Sequence, residues 1–322
     1  MAYRTSNMDV LSNELKGQES NTLFIIGNGF DLFHNMKTSY WDFYKWLLSY
    51  NYADDFVYTM EKLFPTMKEG KHLLWKDFEE ALGEYIPKEA HDSFSQGVDD
   101  GFYDKEFQES AVKRIRPELA RIPNLLRQWL KSIPISEVSR RLDLNKESIY
   151  VSFNYTMVLE SVYDIPTNNI LHIHNNIENT APLITGHNKG LQIDDSDYGN
   201  ANIEESLKLI AQEIAKLKKP VQELINKHQT FFTSLKDITH IVLFGQSLSS
   251  IDIPYFREVL NHVHDDAKWY FIVYDDIARE RYETIVNHYN ALFNDHHIYG
   301  QSIYRNKMKP ENCKYIYSNN LT

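Results

Sequence analysis

Four clusters of polar residues follow short apolar runs in this sequence, and each combines residue types that can bind or move charge. The first is Gly27, Asn28, Gly29, Phe30 and Asp31. Two residues without Cβ atoms let backbone amides approach a pyrophosphate, and the Asp31 carboxylate can reach a ribose hydroxyl. Leu32 stands where a dinucleotide fingerprint carries its third glycine, so a plain strand-to-helix turn is an equally open reading. The second cluster is Phe153-Asn154-Tyr155-Thr156, in which the Asn154 amide can donate and accept, or can simply cap the helix that follows.

The third cluster is Leu171-His172-Ile173-His174-Asn175. Residues two apart in a strand share a face, so His172 and His174 are expected to point the same way. Either offers an imidazole that titrates near neutral pH and suits a general base, or else serves as a hydrogen-bonded histidine of a sheet. His187 would make a third metal ligand, but no helical His pair or carboxylate spacing accompanies it, and no metal is expected. The fourth cluster runs from Phe244, Gly245, Gln246 and Ser247 to Asp252. It is a hydroxyl-rich turn able to hold a phosphate or ribose opposite the first, or an ordinary capped turn. Glu79, beside the apolar face of Trp75 and Phe78, reads as a solvated charge.

The elements that must position these residues follow from periodicity. Residues 21–26 are an unbroken apolar run ending at glycine, as expected of a buried parallel strand. Ser148–Phe153, Asn169–His174, His240–Phe244 and Lys268–Tyr274 read likewise, and a further strand is expected at Pro182–Thr185. Ser39 offers an N-cap before Tyr40, Phe43, Tyr44 and Leu47, and the pattern then stays helical to about residue 145, with an interruption at His91–Asp104. Helices are also expected at Ile203–Ser234, broken by Pro220, at Pro254–Val263 and at Ile277–Phe293. The expected fold is α/β: a Rossmann-like, mostly parallel sheet with a large helical insertion after the first βα unit. Residues 20–35 and 146–322 make the nucleotide-binding core, 36–145 a helical insertion or lid, and about 200–236 a second insertion.

Composition limits the partners. The chain has 322 residues, 42% of them hydrophobic, which suffices for a packed interior. Its 45 acidic and 34 basic side chains give a net charge of -11, and no dense Lys/Arg run offsets this, so direct nucleic-acid binding is not expected. The single cysteine, Cys313, excludes an internal disulfide and fits a reducing cytoplasm. Residues 1–19 are polar, and no apolar stretch approaches the roughly 18 residues of a membrane span.

Ile26 to Leu32, continuing to Thr38-Ser39-Tyr40 and Asp42-Phe43, resembles the opening signature of the AbiH family of bacterial abortive-infection proteins, as do Trp75 with Glu79 and Phe153-Asn154-Tyr155-Thr156. The resemblance implies defence against bacteriophage, with a phage-derived trigger and homo-oligomerisation among the expected partners. The order glycine loop, asparagine, histidine and Gly-x-Ser-Leu turn is more distantly similar to sirtuin-like NAD-binding domains, some of which hydrolyse NAD. That likeness implies NAD as ligand and substrate, Gly27 and Gly29 at the pyrophosphate, Asn154 near the nicotinamide ribose, and His174 as catalytic base. It also implies Gly245 and Ser247 at a phosphate or ribose. Asn175 stands where sirtuins carry a glycine, which leaves His172 as a rival base, and the four zinc cysteines are missing. Two other activities stay open: a nucleotide-binding sensor without catalysis, and a metal-dependent nuclease or phosphohydrolase.

Overall fold

The computed structural model describes residues 7–50, 53–68, 71–95, 105–190, 201–294 and 308–318. Six short strands form its main sheet: β1 (Thr22–Ile26), β2 (Ile149–Ser152), β3 (Ile170–His172), β4 (His240–Phe244), β5 (Lys268–Val273) and β6 (Cys313–Tyr317). Their order is β3-β2-β1-β4-β5-β6, and every neighbouring pair is parallel. The fold is the expected Rossmann-like α/β arrangement. The order reverses between β1 and β4, and such a reversal opens a crevice at the carboxyl ends of the strands.

The apolar runs are unbroken because both faces of the sheet are buried. Side chains alternate between the faces: Leu23 and Ile25 join Leu243 and Phe271 on one side, while Phe24 and Ile26 join Val242, Phe244 and Tyr270 on the other. Register in the centre is fixed by Thr22 opposite His240 and Ile26 opposite both Phe244 and Ser152. The first two βα turns therefore leave the sheet at one level.

A third apolar cluster lies above the carboxyl ends of the strands. It combines Phe43 and Leu47 of the helix Tyr40–Ser49 with Trp75, Phe78, and Leu126 and Trp129 of the long helix Lys105–Lys131. Ile210 and Ile214 of the helix Ala201–Ala215 join the same cluster, so the two helical stretches pack as one layer. Ser39 opens the first of these helices with a capping box, accepting from the Asp42 amide at 3.2 Å.

Two strand expectations are corrected. Residues 182–185 are not a strand: the Ile184 amide bonds the His174 carbonyl, and Asn175 Nδ2 donates to the Pro182 carbonyl, which fastens the segment onto the turn after β3. Strand β6 was not anticipated, because it is an edge strand with only Ile316 fully buried, and its run is mixed in polarity. The expected interruption at His91–Asp104 begins inside a helix, Pro87–Ser95, and otherwise lies outside the described residues. Among the described residues, no helix is long and apolar enough to cross a membrane.

Candidate functional site

A cleft of about 330 Å³ lies at the switch point, floored by the turns after β1, β2, β3 and β4 and roofed by the helical layer. It gathers Gly27, Asn28, Gly29, Asp31, Asn154, His174, Gly245, Gln246 and Ser247 of the residues singled out above. Phe30 is not among them. Its ring is fully buried edge-on against Phe244, 5.2 Å between centroids, because the short helix Asn28–Phe33 turns that side chain into the core.

The glycines serve a purpose other than the expected one. Gly27 N donates to the Phe244 carbonyl and Gly29 N to the Gly245 carbonyl, each at 2.9 Å. A Cβ on Gly29 would stand 2.5 Å from Gly245 Cα, and one on Gly27 would stand 2.6 Å from the Gly245 oxygen. The missing Cβ atoms let two turns touch, and these two amides are spent on that contact rather than turned to a pyrophosphate.

Asn154 does not cap a helix. Its Nδ2 donates to Asp31 Oδ1 at 2.9 Å and to the Gly27 carbonyl at 3.1 Å, while Thr156 donates to Asp31 Oδ2 at 2.6 Å. Both Asp31 oxygens are thus held by residues that follow β2. Burial raises the Asp31 pKa to about 7 against the lowering effect of these hydrogen bonds.

The two histidines part company where β3 ends at His172, before the turn that Asn175 completes at φ 63°. The expectation that they share a face is therefore wrong. His172 bonds Glu160 through Nε2 at 2.8 Å and the Asn154 carbonyl through Nδ1 at 3.2 Å, and it does not line the cleft. His174 lines it, packed among Phe153, Tyr155 and Tyr255, and its buried Nε2 has no hydrogen-bond partner. Burial, with Lys219 nearby, holds its pKa well below the usual histidine value, so the ring is neutral at pH 7. His187 lies apart from both, its Nε2 on the Ile214 carbonyl and its Nδ1 accepting from the Lys189 amide. Among the described residues, no group of three or more His, Cys, Asp or Glu side chains is placed to hold a metal ion.

A model of the family described as bacteriophage abortive infection AbiH matches residues 23–273, from β1 through β5. The chain belongs to the AbiH family. The match spans every residue that lines the cleft of this AbiH protein, and it assigns the protein to abortive infection of phage. No curated protein and no solved structure matched, so nothing found supports the sirtuin-like likeness.

Three residues of the AbiH cleft have roles that sequence reasoning missed. Glu79 is not a solvated charge: its Oε1 accepts from the Tyr155 hydroxyl at 3.0 Å and the Gly186 amide at 3.1 Å, and its Oε2 pairs with Lys219 Nζ at 3.0 Å. The Lys219 side chain is 1% exposed. Asp252 closes the ring, its pKa pushed up to about 6 by burial, against the pull of Lys219. Glu79 left a signal as one of the residues that carried the AbiH resemblance, and Asp252 as the last residue of the fourth cluster. Lys219 sits in a Lys-Lys-Pro tract that marks a helix break and nothing more.

Proposed function

We propose that this AbiH protein interrupts phage infection by hydrolysing the nicotinamide N-glycosidic bond of NAD in the switch-point cleft. The observation that carries the reading is the charge of the cleft. Among its lining residues are four carboxyl groups, Asp31, Asp77, Glu79 and Asp252, against two lysines, Lys76 and Lys219, an acidic balance that persists with Asp31 partly protonated near pH 7. A phosphate brought within 4 Å of one of these carboxylates meets a repulsion of roughly 4 kcal/mol at an effective dielectric of about 20. The same field favours a cationic pyridinium and the positive charge that develops on the ribose as that bond breaks.

The residues divide the work as follows. The C1′–N bond breaks and its electron pair leaves with nicotinamide. Water attacks C1′, and its proton passes to His174 Nε2, which is neutral and has no other partner. The products are nicotinamide, ADP-ribose and a proton. Asp31, oriented by Asn154 and Thr156, accepts from a ribose hydroxyl through its remaining lone pairs. Asn154 thereby acts through Asp31 rather than on the sugar. Gln246, whose side chain also bonds the Asp252 carboxyl, supplies a donor in the same cleft. The helical layer roofs the cleft and serves as its gate.

The test is nicotinamide release from NAD by the purified protein, paired with total NAD in phage-challenged bacteria. Loss of a general base costs about 10² to 10⁴ in rate, so His174→Ala should retain NAD binding and lose turnover by that factor. Equal turnover in folded wild type and variant would overturn the assignment of the base. Binding and phage protection without nicotinamide release by either would mark the protein as a sensor.

A further inference from the structure

We propose that a second cavity, on the β4–β6 side of the contact between Gly29 and Gly245, binds the adenosine diphosphate half of a dinucleotide. The nicotinamide end of that dinucleotide enters the acidic cleft, and the choice of ligand rests on the reading above. The cavity is about 720 Å³ and opens at the carboxyl ends of β4, β5 and β6. It shares Gly29, Leu32 and Gly245 as walls with the acidic cleft, so the two cavities abut across the glycine contact. In sheets of this order, the crevice at the reversal runs over both halves.

The chemistry of the two cavities is opposite. The cleft is ringed by carboxylates, whereas the walls of the second cavity include no carboxylate and one cation, Arg141. Its guanidinium donates to the Phe33 carbonyl at 2.8 Å and lies 5.7 Å from the Phe33 ring centroid, which orients the planar fork and leaves most of its five N–H donors for an anion. Apolar surface adjoins it: Tyr274 is 71% and Leu32 43% exposed, and an exposed aromatic ring suits a purine face. Asp275 and Asp276, which follow Tyr274, are engaged elsewhere, Asp275 with the Ala278 amide and Asp276 with the Tyr317 hydroxyl. A dinucleotide carries its positive charge on the pyridinium and its negative charges on the pyrophosphate, and the paired cavities match that division.

Calorimetric titration of the full chain with ADP tests the assignment. ADP lacks the glycosidic pyridinium, so its binding is independent of whether the protein hydrolyses NAD. Wild type should bind ADP; Arg141→Glu should weaken binding about tenfold or more, the worth of a hydrogen bond to a charged group. Tyr274→Ala should weaken it about fivefold or more through lost stacking. Absence of ADP binding by wild type, or binding that ignores both Arg141→Glu and Tyr274→Ala, would overturn the proposal. Tyr274 is exposed, so that variant decides the matter even if Arg141→Glu fails to fold.

Discussion

The backbone amide of Gly29 donates to the carbonyl of Gly245 at 2.9 Å, and a Cβ on Gly245 would lie 2.2 Å from the Phe30 nitrogen. Two βα turns far apart in sequence thus touch backbone to backbone at the place where the strand order reverses.

Gly245 is therefore the least replaceable of the glycines in these turns. Its φ of +67° alone costs an L-residue roughly 1–2 kcal/mol, and the clash with the first turn adds to that. Gly245→Ala should lower the unfolding midpoint in urea by more than the φ cost accounts for, and a variant of wild-type stability would show that the turns can separate freely.

Removing the Asn154 amide leaves a buried carboxylate short of a donor. Asn154→Ala should destabilise the fold by about 1–3 kcal/mol and abolish turnover, because Asp31 loses its orientation. Asn154→Asp should be worse at pH 8 than at pH 5, since it sets a second carboxylate against Asp31. Chemical denaturation at the two pH values distinguishes this from simple loss of packing.

The Glu79–Lys219 pair joins the helical layer to the segment before β4 in a buried setting. Lys219→Met strands the Glu79 carboxylate and should cost about 3–5 kcal/mol, whereas Glu79→Gln combined with Lys219→Met should recover much of that loss. A double-mutant cycle measures the difference. Additive losses would mean that the two side chains do not depend on each other.

Stability should respond to pH through Asp31. Its folded pKa of about 7 lies above the ordinary aspartate value of 3.8, so the native state keeps a proton that the unfolded chain has released between those limits. The contribution is thus greatest in acid and is lost as pH rises towards 7, by at most roughly 4 kcal/mol at about 1.36 kcal/mol per pH unit. Asp31→Asn removes the titration. The melting temperature of that variant minus that of wild type should rise from pH 4 to pH 8, and a constant difference would show that Asp31 does not titrate in this range.

Much of the sheet was legible because periodicity is a local property. Residues 23–26, 241–244 and 269–273 are buried on both faces, and their unbroken apolar runs announced it. Strand β6 was not legible, since an edge strand has one neighbour and carries a mixed pattern.

The sequence by itself also determined which turns end at the crevice, because glycine and polar residues follow each strand, and it carried the AbiH signature from β1 to β2. Only the tertiary structure decided what those residues do. Nothing local distinguishes His172 from His174, yet one is fastened between Glu160 and Asn154 while the other is left with an unpartnered nitrogen in the cleft. Likewise, Glu79 and Lys219 are 140 residues apart, and each alone looks solvated. Burial of a charge depends on what the rest of the chain brings over it, and that is a property of packing between distant segments rather than of neighbours in sequence.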